Sequence, residues 1–96
     1  MRVFLDDVRA APEGWTLVRW PSEVIALLER GEVDELSLDH DLGDETITGY
    51  DVLVWLEEAV ATRGFKAPAV VVHSANVVDR KRMENAIASI RRFASR

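Results

Sequence analysis

Ala69-Val70-Val71-Val72-His73-Ser74-Ala75-Asn76 joins an unbroken aliphatic run to a run of small and polar residues. β-Branched residues without polar alternation are the pattern of a strand buried on both faces, as in a parallel sheet. A helix is expected to follow, from about Val78 to Ala94, with Met83, Ala86, Ile87, Ile90 and Phe93 at helical spacing. Towards the N-terminus, Gly64 ends a helix that runs to about Arg63 and carries Val52, Leu56, Ala59 and Val60 on one face. Thr48 reads as its N-cap, with Asp51 three residues on, a variant of the capping box. Leu36–Leu38 is a strand, followed by a loop with Gly43. Pro21 and Ser22 open a helix to about Arg30, stopped by Gly31, with Val24, Leu27 and Leu28 at helical spacing. Thr16–Trp20 and Met1–Leu5 are the remaining strands, joined by a loop over Asp7–Gly14.

Strands and helices therefore alternate after the first loop. That order implies an α/β layered domain with right-handed crossovers and a four-stranded, mostly parallel sheet. The first connection is too short for a crossover helix, so it is expected to pass across a sheet end.

The chain of 96 residues is expected to form one domain, spanning 1–96, with one modest core. It has no cysteine, which excludes disulfide frameworks, thiolate metal sites and cysteine nucleophiles. No apolar run approaches the roughly 18 residues of a membrane span, and Met1-Arg2-Val3-Phe4 enters a strand directly; a cytoplasmic protein without a membrane partner is expected. The formal charge of −5 is uneven: residues 1–76 are acidic and residues 77–96 are basic. The acidic part argues against nonspecific nucleic-acid binding, which relies on basic surface. The basic tail reads as a solvated helix face with cations near a helix C-terminus, or as a contact for phosphates. Trp15, Trp20 and Trp55 read as core residues, with Trp15 the best candidate for a stacking platform because it lies on a loop.

Three apolar runs each end in a polar cluster, and the two histidines of the chain both lie in these clusters. In an open parallel sheet, ligands bind outside the carboxyl ends of the strands. Asp6-Asp7 places two carboxylates together, which repel unless a cation is near. Mg²⁺ takes such oxygen ligands, often with phosphate oxygens; the alternative is a capped turn. In Asp39-His40-Asp41, Asp39 can serve as ligand, base or nucleophile and His40 as general acid or base; the alternative is a network holding the loop. After His73, Ser74 and Asn76 can bind a phosphate at the N-terminus of the next helix, cap that helix, or do both. Arg9 can orient a phosphate or neutralise Asp6 or Asp7.

Residues 16–60 resemble the middle of a bacterial response-regulator receiver domain. A strand and helix lead to Asp39, and Gly49-Tyr50-Asp51-Val52-Leu53 opens the next helix. Asp6-Asp7 and Ser74 also match the receiver pattern. The helix after the first strand and the strand carrying the receiver lysine are missing, and histidines flank the positions kept. With these departures, Leu5-Asp6-Asp7-Val8-Arg9, Ser37-Leu38-Asp39-His40-Asp41-Leu42-Gly43 and Val72-His73-Ser74-Ala75-Asn76 resemble the cyclic-phosphate-processing receiver-like family. The resemblance covers nearly the whole chain. It implies a small three-layer, flavodoxin-like fold and action on cyclic phosphates of nucleotides, RNA ends or ADP-ribose-type products.

The expected activity is a metal-assisted phosphoesterase. Asp6, Asp7 and Asp39 would hold Mg²⁺ or Mn²⁺. Asp39, His40 and His73 would be catalytic, the histidines dividing acid and base roles. Arg9, Ser74 and Asn76 would fix the phosphate. Two alternatives stay open: a stand-alone receiver phosphorylated on Asp39, and a non-catalytic module that binds a nucleotide or RNA end. The oligomeric state is not legible.

Overall fold

The computed structural model describes residues 1–6, 9–39, 49–73 and 77–94, with Asp79 described by its backbone alone. Strands β1 (Arg2–Leu5), β2 (Thr16–Val18), β3 (Glu35–Leu38) and β4 (Ala69–Val72) alternate with helices α1 (Pro21–Glu29), α2 (Gly49–Arg63) and α3 (Val77–Ala94) after the first connection. The four strands form one sheet in the order β2-β1-β3-β4, and every pair is parallel. The second strand stops two residues earlier than expected. Trp20 keeps extended dihedrals, as a residue before proline does, but it already occupies the N-cap position of α1.

Strand order fixes where the helices lie. The β2-α1-β3 and β3-α2-β4 crossovers step across the sheet in the same direction. Right-handed connections therefore place α1 and α2 on the same face. α2 packs against both α1 and α3. Val3, Leu5, Leu36, Leu38 and Val70 of the sheet join Val24, Leu28, Leu53, Leu56, Met83 and Ile87 of the helices in one buried cluster. The three layers expected from the resemblance reduce to two among the described residues, one of helices and one of sheet.

The opposite sheet face carries Phe4, Ser37 and Val71, which share a register row. Phe4 is buried without joining the helix-side cluster. Its cover comes from the first connection: Trp15 meets Phe4 edge-on with ring centroids 6.4 Å apart, and Arg2 lies over Trp15. A turn closed by the Trp15 N–H on the Pro12 carbonyl delivers that ring, and Gly14 takes the positive φ at its third position.

Two expectations need correction. Ala69–Val72 is not buried on both faces: it is an edge strand, and Val71, on the face without helices, is 56% exposed. Trp20 is not core either, being 54% exposed at the start of α1. Trp55 packs edge-on against Phe65 with Arg63 over its ring. The basic end of α3 carries Arg91 and Arg92 in its last turn, where they oppose the helix dipole's negative end. No helix among the described residues is long and apolar enough to cross a membrane.

Candidate metal centre

The site is built by carrying the sheet ladder one residue past the strands. The Asp6 N–H donates to the Val18 carbonyl (3.2 Å), the Asp39 N–H to the Leu5 carbonyl (3.0 Å) and the His73 N–H to the Leu38 carbonyl (3.0 Å). Leu5, Leu38 and Val72 are partners in register. Asp6, Asp39 and His73 therefore form the next row across the sheet. Side chains alternate along a strand, so this row shares the face of Phe4 and Ser37 and points away from the helices.

Asp6 is 1% exposed, and a buried carboxylate needs polar partners. Its Oδ1 accepts the Arg9 backbone N–H at 2.9 Å, and its Oδ2 lies 3.0 Å from His73 Nε2. The other ring nitrogen of His73, Nδ1, lies 2.7 Å from Ser37 Oγ. The imidazole stacks on the Phe4 ring, with centroids 4.2 Å apart and planes 8° from parallel. Arg9 Nη1 donates to the His73 carbonyl at 3.0 Å, which ties the loop after β1 to the end of β4. His73 is thus held on three sides: by a hydroxyl, by a carboxylate and by an aromatic face.

Asp39 is positioned differently. Gly49, the first residue of α2, packs directly on the Asp39 backbone. A Cβ added at Gly49 would overlap the Asp39 carbonyl oxygen and approach Met83 Cε to 3.3 Å. Only glycine permits this approach, which sets the helix start against the strand end.

One ligand-type atom each from Asp6, Asp39 and His73 lies within 4.8 Å of the others. Ligands at about 2.1 Å from an octahedral ion stand about 3 Å apart when adjacent, which is the spacing of Asp6 Oδ2 and His73 Nε2. The residues fit a divalent cation. Two carboxylates suit Mg²⁺ and Mn²⁺, and the imidazole tilts the set towards the softer ion.

Of the residues expected to form the site, Asp6, Asp39 and His73 meet, with Arg9 at their rim. Asp7, His40, Ser74 and Asn76 lie outside the described residues. The N-cap expected at Thr48 lies there too. Ser37 opens one of the three stretches that carry the resemblance, but the sequence reading assigns no role to Ser37 or Phe4. Their signal is parity: each stands two residues before an acid that ends its strand, so each shares that acid's face.

No curated protein and no solved structure gives a match to this chain. The profile of the family described as the cyclic-phosphate processing receiver domain matches residues 1–89. That span holds all four strands and the whole row of Asp6, Asp39 and His73. The chain, with its parallel sheet and its acids at the strand ends, belongs to the cyclic-phosphate processing receiver domain family.

Proposed function

We propose that this protein hydrolyses a cyclic phosphate on a nucleotide, an RNA end or an ADP-ribose-type product. The observation that supports this reading most is the row of Asp6, Asp39 and His73 at the carboxyl edge of the sheet. Together with Asp7, these residues would hold Mg²⁺ or Mn²⁺. The ion, when bound, supplies positive charge to the phosphoryl oxygens and acidifies water.

Ring opening adds a water oxygen to phosphorus, breaks one ring P–O ester bond and leaves a phosphomonoester. The attacking water gives up one proton and the departing oxygen takes one, so none is consumed overall. His40, the residue after Asp39, is assigned the donation to the departing oxygen. His73 Nε2 faces Asp6 and its Nδ1 is held by Ser37, so in place of the acid or base role expected from the sequence we assign it to a cation shared with Asp6. Arg9, exposed beside the row, is assigned to the phosphate oxygens, with Ser74 and Asn76. Its guanidinium carries five N–H donors, and the His73 carbonyl uses one of its nitrogens.

The test is phosphorus NMR on 2′,3′-cyclic nucleotides and ADP-ribose cyclic phosphate, with Mg²⁺, with Mn²⁺ and with chelator. Metal-dependent conversion to a monoester, lost in Asp39→Ala, is expected. Retained turnover in that variant would refute the role of Asp39. No conversion, with a phosphodonor adduct on Asp39 by mass spectrometry, would replace hydrolysis by phosphoryl acceptance.

A further inference from the structure

We propose that Ser37 is a positioning residue whose hydroxyl reverses its hydrogen bond, so that His73 can pass from a carboxylate-bonded form to a metal-ligating one. This rests on the reading of Asp6, Asp39 and His73 as a cation site. The two contacts of the ring, Nδ1 to Ser37 Oγ at 2.7 Å and Nε2 to Asp6 Oδ2 at 3.0 Å, set the problem.

A neutral imidazole has one N–H and one bare nitrogen. An ionised carboxylate only accepts. Without a cation, the proton therefore sits on Nε2 and donates to Asp6, and bare Nδ1 accepts the Ser37 O–H. With a cation between Asp6 and His73, Nε2 must present its lone pair. The proton then sits on Nδ1, and Ser37 must accept it. Metal-ligating histidines are held by such a partner on the other nitrogen.

A hydroxyl serves both states, because rotating its hydrogen exchanges donor for acceptor while the oxygen stays in place. A carboxylate there could only accept, and an ammonium could only donate. Two features make the reversal local to Ser37. Ser37 is 5% exposed, so solvent is a poor substitute partner. The Phe4 stack holds the ring plane, and turning the ring over within that plane would put carbons where the nitrogens stand, so the ring keeps its place and the hydroxyl changes role.

The test is long-range ¹H–¹⁵N correlation of the His73 ring, at a pH where the spectrum itself shows a single ring N–H. The expected result is an Nε2–H ring in the metal-free protein and an Nδ1–H ring once Mg²⁺ is added. Mn²⁺ affinity, read by electron paramagnetic resonance, should fall about 10–100-fold in Ser37→Ala and recover in Ser37→Thr, which keeps the hydroxyl. A wild type that takes up Mn²⁺ while its ring stays Nε2–H with Mg²⁺ overturns the proposal and leaves the cation site standing. So does a folded Ser37→Ala with wild-type Mn²⁺ affinity. A wild type that takes up neither ion overturns the cation site, and the Ser37 proposal with it.

Discussion

The two faces of the sheet use the same strands for opposite purposes. On the helix side, Val3, Leu5, Leu36, Leu38 and Val70 are aliphatic and meet helix side chains in one dry cluster. On the other side, Phe4, Ser37 and His73 form an aromatic and hydrogen-bonded patch that leads to Asp6. Neighbours in sequence thus differ in kind: Leu36 is core, and Ser37 holds the histidine. The difference teaches that stability and site chemistry separate here by parity within a strand rather than by region of the chain.

The strongest way to break that comparison is Asp39→Ala. Ring-opening activity should fall by on the order of 10³-fold, and the thermal midpoint should stay close to wild type. An unfolded variant would show that the site face also carries the fold. Leu36→Ala should do the reverse. Leu36 is fully buried on the helix face, so truncation should cost about 2–5 kcal/mol, read from the urea midpoint. Mn²⁺ affinity of the folded fraction should not change; a drop would mean that the two faces are coupled.

Gly49→Ala tests the point where they meet. The added methyl would push on the Asp39 carbonyl, with an expected loss of about 1–3 kcal/mol and weaker Mn²⁺ binding together. A stability loss with unchanged binding would free Asp39 from the α2 start. Phe4→Leu removes the ring under His73 and keeps most apolar volume. A cost of about 0.5–1.5 kcal/mol is expected, and urea unfolding of this variant decides whether the stack stabilises the fold. Val71→Thr should be smallest, within about 0.5 kcal/mol, because this side chain is largely solvated. A larger penalty would mean that something covers this face.

Much of this was legible in the residues. The element order followed from helical spacing and from glycine and proline stops, and it implied parallel strands. Acids and a histidine after apolar runs pointed to the carboxyl edge, and Asp6, Asp39 and His73 do meet there. What escaped depends on position in the sheet. Valines 70–72 look alike in sequence, yet β4 is an edge strand with Val70 inward and Val71 outward. Trp20 is a large apolar residue, but the proline after it places it at a helix entrance. Ser37 reads as one polar residue in a strand until the register sets it beside a histidine 36 positions away.

The ladder that aligns Asp6, Asp39 and His73 also acts as a ruler. Substitutions at many sheet positions change one contact, but a change of length does not. Deleting one residue from the middle of β3 would shift its pattern by one place and invert every side chain beyond the cut. An aliphatic group would then stand beside Asp6 and His73, and a polar one would face the core. Families built on this sheet should therefore tolerate varied residues within β1, β3 and β4 while holding the residue count of each strand constant. Differences in length should collect in the connections.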